Sequence, residues 1–537
     1  MPPVSTEQQP VPTQCGVIQM KYILGIDDGG SVTKAALYEL DGTLVAARAG
    51  QSVPLLSTGR GHTERDSEAL WASNVTAIRR VLEEAGASGA DVAAVSVTGH
   101  GNGLYLVDAN GRPTYNAIIS TDARAERLIE KWVDDPRFAT DILPKTAQSL
   151  WAGQPPALLA WLKEHQPEAV KNARWALLAS GFVRMRLTGQ ATANLSDASG
   201  TSLLNVKERQ YDSAILDYYG ISEMEPLLPP VVGSTEVAGR VTEEAAKETG
   251  LAAGTPVAGG VFDIASSALA SGLVERNQLA VVTGTWSINE YISSTPVVDP
   301  DLFMTSIYPT PDSWLITEGS PTSAGAFEWF INNILDPAAS LIGAAAPDHG
   351  DLYEAVNRVV FDPAMETASV PVFLPFVFGT SKYPTLRGLM SAMDASTGLS
   401  HLLRAVYEGI VFSHMDHIQR LERFQALPGE AIFTGGVTNS RQWTQMFADA
   451  MQRPLRVVQV KEAGTLGTSM AAAVMIGEYT DITEAAKQMA PSYELFTPDT
   501  GKAGLYADRY GSWKNALRTA QGLKTPSSEK EGDRVFA

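Results

Sequence analysis

At 537 residues with 44% apolar content, the chain is too long for one ordinary core, and two domains of the α/β class are expected. A net charge of -19 argues against a nucleic-acid partner, because binding a phosphate backbone needs a basic footprint; a nucleotide in a local, glycine-lined pocket is not excluded. The single cysteine, Cys15, rules out a disulfide framework and a thiolate metal site.

Residues 1–19 are rich in Pro, Gln and Thr and lack the basic start and apolar core of a secretion signal. They read as a disordered leader, with Met20 available as an alternative start. No uncharged apolar run approaches the ~20 residues of a membrane span, so a soluble, cytoplasmic protein with no membrane partner is expected.

The segment Lys21 to Asp41, KYILGIDDGGSVTKAALYELD, is an apolar strand ending in aspartate, a turn through two glycines, and a second apolar strand. Gly29 and Gly30 lack a Cβ, so the turn can take positive φ and present backbone N–H groups to an anion. Ser31, Thr33 and Lys34 add two hydroxyls and a cation, and Asp27 can hold a hydrated Mg2+ against phosphates. The residues alone leave two readings open: a nucleotide-phosphate loop, or an ordinary hairpin whose Asp-Gly-Gly makes the turn.

Further along, Ser67 to Ala85 has helical apolar spacing, and Val92 to Thr98 is a strand leading into Gly99-His100-Gly101-Asn102-Gly103. Helices are expected from Asp122 to Asp134 and from Pro155 to Glu164. A glycine-framed strand, Gly254 to Phe262, ends at Asp263, and a helix from Ile264 to Ser271 closes the first domain. The pattern then starts over: strand Gln278 to Val282, turn Thr283-Gly284-Thr285-Trp286-Ser287, strand Ile288 to Ile292. Later, Ala431 to Thr434 leads into Gly435-Gly436, then Asn439-Ser440 and a helix from Arg441 to Met451. The charged tail after Gly522 reads as disordered. The Gly99-x-Gly101-x-Gly103 run lacks the full dinucleotide spacing, so a Rossmann cofactor is not expected.

In this order the segments resemble the FGGY family of carbohydrate kinases. The resemblance rests on GIDDGGSVTK at 25–34, Glu64 to Asp66, TDAR at 121–124, RLTG at 186–189, SDASGTSLL at 196–204 and GGVFD at 259–263. It continues through TGTWS at 283–287, PTLRG at 384–388, YEGI at 407–410, GGVTNSRQWTQMFAD at 435–449 and EAGTLGTSMAA at 462–472. It implies an α/β fold of two ribonuclease H-like, actin/hexokinase-type domains with a cleft between them. The expected division is a sugar-binding domain at 20–272 and a nucleotide-binding domain at 273–522, followed by a disordered tail at 523–537.

The resemblance also implies roles. Asp263 matches the catalytic aspartate that takes the proton from the attacking sugar hydroxyl; a helix N-cap is the plain structural alternative for it. Gly29, Gly30, Ser31 and Lys34 match the first phosphate motif, Gly284 and Thr285 the second, Gly325 a further nucleotide-side glycine, and Gly436 and Asn439 the adenosine motif. Asp27 and Asp263 would share Mg2+, with ATP as phosphoryl donor. His100, Gly101, Asn102 and Asp122 fall on the sugar side together with Asp263. Three positions depart from the common pattern: Ser120 replaces a tryptophan, Leu158 a lysine and Gly181 an aspartate. Segments such as SLWAGQPPALLAWLKEH and SPTSAGAFEWF resemble the branch acting on L-xylulose and 3-keto-L-gulonate, which implies phosphorylation of a ketose at its terminal hydroxyl. Other pentuloses or polyols, an actin-like nucleotide switch and an inert sugar sensor are the competing readings. By analogy with relatives, a homodimer is expected.

Overall fold

The computed structural model describes residues 21–276, 278–341, 349–380, 386–427 and 429–522. The expected leader, the tail and the first two residues of the PTLRG motif lie outside them.

The hairpin strands β1 (Tyr22–Asp28) and β2 (Thr33–Glu39) are followed by β3 (Leu44–Ala49), helix α1 (Ser67–Ala85), β4 (Val92–Gly99), α2 (Ala179–Thr188), β5 (Val237–Arg240), β6 (Pro256–Ala258) and α3 (Asp263–Ala270). The strands form one sheet in the order β5-β6-β4-β1-β2-β3. β1 runs antiparallel to β2 and parallel to β4, whose residues are buried along its whole length. That burial on both faces is why the strand reads as a continuous apolar run. Helix α1 has the limits its apolar spacing sets: Asp66 caps it by accepting the Ala69 N–H at 2.9 Å, and Gly86 ends it at φ 60°.

The second sheet repeats the plan. It uses β7 (Leu279–Thr283), β8 (Ser287–Ser293), β9 (Met304–Ile307), β10 (Trp314–Ser320), β11 (Ala431–Gly435), β12 (Leu455–Val458) and β13 (Tyr493–Phe496). The order is β9-β10-β8-β7-β11-β12-β13. Here too the first strand of a hairpin, β7, pairs antiparallel with β8 and parallel with a later strand, β11. Helices α4 (Leu399–Leu421) and α5 (Arg441–Met451) contribute to the core cluster on this sheet. Among the described residues no helix is long and apolar enough to cross a membrane.

One helix belongs to both halves. α6 (Ala463–Met475) comes from the C-terminal half, yet it lies with α3 in a core cluster shared by both sheets. The approach is too close for side chains: a Cβ on Gly25 would lie 2.3 Å from the Thr465 carbonyl oxygen, and one on Gly467 would lie 1.9 Å from that of Ser266. The Ser96 and Thr468 hydroxyls meet at 2.6 Å across the same seam.

Two sequence expectations are corrected. The helix expected from Asp122 starts at Glu126, because Asp122 folds back to accept the Arg124 N–H at 2.9 Å and close a turn. The strand expected over Gly254 to Phe262 is only Pro256–Ala258. Gly260 departs from extended geometry at φ 84°, where a Cβ would sit 2.1 Å from the Val97 carbonyl oxygen.

Candidate active site

The β1–β2 turn does not use positive φ at Gly29 or Gly30, contrary to expectation. Gly29 is required for a different reason: a Cβ there would stand 2.9 Å from the Val32 carbonyl oxygen across the tight turn. Thr33, expected to offer a hydroxyl to phosphate, is instead buried and donates to Asp28 Oδ1 at 2.8 Å, locking the turn from inside. Ser31 remains exposed. Lys34 reaches across the cleft to Glu462 at 3.1 Å, immediately before α6, with its side chain 42% exposed. An ion pair that wet is weak and leaves the ammonium available to an incoming anion.

The second turn, Gly284–Trp286, is held from behind. Thr285 accepts the Ser323 N–H at 3.1 Å through its carbonyl, and a Cβ on Gly325 would already touch Thr285 at 3.4 Å. The Ser323 hydroxyl lies 2.8 Å from Nε2 of the buried His414 on α4, whose Nδ1 lies 2.9 Å from Asn289 Oδ1. Since the amide oxygen can only accept, Nδ1 carries the proton and Nε2 accepts from Ser323. Burial drives the His414 pKa well below its ordinary value, so the imidazole is a neutral strut. At the end of β11, Gly435 adopts φ 101° where a Cβ would lie 2.6 Å from Thr283, and beyond it Gly436 and Asn439 stand exposed on a 3-10 turn. Gly284, Thr285, Gly325, Gly436 and Asn439 are thus gathered along one end of the second sheet.

Beside the first turn, two carboxylates, Asp27 and Asp263, come close enough to interact. Asp263 is the first residue of α3, and its Oδ1 accepts the Ile264 N–H at 2.8 Å; the cap position proper is Phe262, which makes no side-chain cap bond. The plain N-cap reading of Asp263 therefore does not account for it. Burial, then the charge of Asp197, lifts its pKa to about 7. Burial, then the charge of Asp263, lifts Asp27 to about 7 as well, so the two carboxylates sense each other. The Asp27 carboxylate makes no hydrogen bond among the described residues. Its nearest cationic influence is Lys34, which is shared with Glu462. Two facing carboxylates short of a counter-charge are the donor set a hydrated Mg2+ would use, with water and phosphate completing the shell. Among the described residues there is no cluster of three or more His, Cys, Asp or Glu that could hold a metal ion.

The chain segment carrying Asp263 is pinned by the 194–199 loop. The Phe262 N–H donates to Ser196 Oγ at 3.0 Å, Ser196 donates to Asn194 Oδ1, and Asn194 Nδ2 donates to the Gly260 carbonyl at 2.6 Å. Gly101 is glycine because a Cβ would overlap the Phe262 ring at 2.1 Å.

On the sugar side, His100 is buried with Nε2 2.9 Å from the Tyr105 hydroxyl, while Nδ1 has no partner. Burial pushes its pKa down to about 4, so it is neutral near pH 7. Asn102, at φ 59°, buries an equally unpartnered Oδ1. Buried polar atoms left open in this way mark where a ligand's hydroxyls would pair. Asp122 does not belong with them. Its Oδ1 accepts the Arg124 N–H and Nε, and its Oδ2 accepts the Thr63 N–H and Arg124 Nη2, at 2.6–2.9 Å, filling all four lone-pair sites. Arg124 also donates to Glu64 at 2.7 Å and lies 4.9 Å over the Trp161 ring. The Asp-x-Arg motif is therefore a buried brace for the 119–124 turn, and the expected sugar contact by Asp122 is corrected.

Residues 22–270 match the N-terminal domain, and residues 279–476 the C-terminal domain, of the FGGY family of carbohydrate kinases. The chain belongs to this family. One relative, the L-xylulose/3-keto-L-gulonate kinase of Escherichia coli (strain K12), is 35% identical over 514 residues, covering 94% of this chain and 98% of its own length. The probable L-xylulose kinase of Haemophilus influenzae is 30% identical over 508 residues, covering 94% of this chain and 100% of its own. The crystal structure of xylulose kinase from Rhodospirillum rubrum superposes with a TM-score of 0.81 at 24% identity, covering 94% of this chain and 99% of that one. That likeness shows the two-domain fold.

The FGGY kinase thus carries a phosphotransferase site that uses ATP. Several of its supports were not singled out from sequence. Ser196 lay within a recognised motif with no role attached, and the partnership of Lys34 with Glu462 spans 428 positions. His414 follows an apolar run on its helix and shares one helical stripe with His417 and Arg420 at i, i+3 and i+6. That stripe was the available signal. The substituted Leu158 is simply core, with no exposed surface.

Proposed function

We propose that this kinase transfers the γ-phosphoryl group of ATP to the terminal hydroxyl of a ketose, L-xylulose or 3-keto-L-gulonate, with Asp263 as general base. The observation that carries the chemistry is the Asp263–Asp27 pair: a carboxylate held near neutrality is poised both to accept a hydroxyl proton and to exist as the base at working pH. The name and 35% identity of the Escherichia coli relative favour the substrate.

In this reading residues 20–272 bind the sugar and residues 273–522 bind most of the nucleotide. His100 Nδ1, Asn102 Oδ1 and the Gly101 backbone orient the acceptor, and Asp263 takes its proton as the new O–P bond forms and ADP departs. Gly29, Gly30, Ser31 and Lys34 receive phosphate oxygens from one side, and Gly284, Thr285 and Gly325 from the other. Gly436 and Asn439 flank the adenosine. Asp27 with Asp263 would hold Mg2+, whose charge would offset that building on the phosphates. Lys34 leaves Glu462 to do the same, and closure of the seam around α3 and α6 excludes water.

The test is ADP release measured over a panel of ketoses and polyols, including D-xylulose, ribulose, erythritol and glycerol. Acceptor-dependent turnover should be greatest with L-xylulose or 3-keto-L-gulonate. A preference for another pentulose or polyol would replace the substrate, and hydrolysis stimulated only by protein partners would replace the reading with a nucleotide switch.

A further inference from the structure

Arg65 lies in the short strand Glu64–Arg65, paired with Ala117–Ile118, between a fully satisfied Glu64 and the cap residue Asp66. It is 5% exposed. Its side chain makes no hydrogen bond or ion pair among the described residues, and its Nε is buried without a partner. The neighbouring Arg124 is committed to Asp122 and Glu64. Arg65 is not so committed among the described residues.

Its strand lies beside the sugar-side loop: the partner residue Ile118 accepts the Leu104 N–H at 2.8 Å, and its carbonyl oxygen lies 2.4 Å from where a Cβ on Gly103 would stand. The charge of Arg65 acts on His100, Tyr105 and Asp28, and His100 and nearby Asn102 carry their own unpartnered buried atoms. Asp28 does not serve as its bonded counter-ion. Asp28 Oδ1 accepts from Thr33 and from Asn74 at 3.1 Å, while Oδ2 is bonded to nothing. Removing a guanidinium from water without a bonded anion is costly, and the fold tolerates such an arrangement where a ligand offsets the cost.

A neutral ketose offers no anion. Asp27 lies close to Asp28 and Asp263, and Asp263 to Asp197, so an anionic acceptor beside these carboxylates would be repelled unless a local cation received it. We infer that Arg65 anchors a carboxylate on the acceptor, and that the preferred substrate is a keto-aldonate, its carboxylate at the end opposite the phosphorylated hydroxyl. This rests on the ketose-kinase reading above and selects within it. The fork of a guanidinium matches a carboxylate through two parallel bonds.

The ratio of kcat/KM for 3-keto-L-gulonate to that for L-xylulose tests the assignment. In Arg65→Gln it should fall about a hundredfold relative to the unsubstituted enzyme, and Arg65→Lys should recover part of the loss. An equal loss on both substrates would make Arg65 a structural counter-charge and overturn the inference. A second arm needs neither a variant nor turnover: thermal-shift titration of the unsubstituted protein with L-gulonate and with D-glucitol, which carries a hydroxymethyl group in place of the carboxylate. L-Gulonate should bind at least tenfold more tightly; equal binding would overturn the assignment. Tight L-gulonate binding by a protein that phosphorylates no ketose would retain the anion site and remove the kinase reading, so the two failures are distinguishable.

Discussion

Asp27 and Gly464 come from opposite halves of the chain and meet at the cleft floor: a Cβ on Gly464 would stand 2.3 Å from Asp27 Oδ2. The first turn of α6 is thereby laid against a carboxylate of the first sheet. A helix N-terminus favours negative charge, so α6 both joins the two halves and steadies Asp27 where phosphates are expected.

Gly464→Ala should force α6 and β1 apart. Overpacking of this kind costs ~1–3 kcal/mol, and the displacement should lower kcat because Asp27 and Asp263 lose register. Thermal unfolding together with steady-state ADP release checks both; wild-type values of each would contradict the close contact.

Replacing the base isolates its role. Asp263→Asn should reduce kcat by ~10²–10⁴, the usual contribution of a positioned base, with the KM for the ketose changed far less. Retained stabilisation by ATP in a thermal-shift assay would show that the fold survives.

The carboxylate cluster sets a pH dependence. Burial is the main cause that raises Asp27, Asp197 and Asp263 to about 7 and Asp28 to about 6, against ~3.9 in an unfolded chain. The folded state therefore holds these protons more tightly. Stability from this source is fully present below ~pH 4 and is lost as the pH climbs through about 7. In chelator, Tm should fall between about pH 4 and 7 and level off above, with a shallower fall in Asp27→Asn. Calorimetric scans across that range decide it, and a Tm that rises instead would be incompatible with the raised values.

His414→Leu should strand the Ser323 hydroxyl and the Asn289 carbonyl in the interior. Leaving such groups unpaired costs ~1–3 kcal/mol. Since Ser323 also donates its N–H to Thr285, the KM for ATP should rise more than the KM for the ketose. A uniform loss of both would assign His414 to packing alone.

Much of this site was legible because its chemistry is local. The β1–β2 and β7–β8 turns and the helices over Ser67–Ala85 and Arg441–Met451 follow from apolar period and turn residues a few positions apart. Misreadings arose where a side chain spent its bonds on a distant partner. Thr33 looked available to phosphate until Asp28 was found to take its hydroxyl. Asp122 looked like a sugar ligand until Arg124 and the Thr63 N–H filled its oxygens.

The sequence by itself determined the family, the two-lobed α/β plan and the residue types lining the cleft, because those depend on short-range pattern. Only the tertiary structure decided which of these groups remain unspent. Whether Lys34 is held by Glu462, whether His414 braces Thr285, and whether Arg65 has a partner depend on contacts between residues far apart in the chain. Such contacts arise when burial brings those residues together and each polar group must find a bond or wait for a ligand.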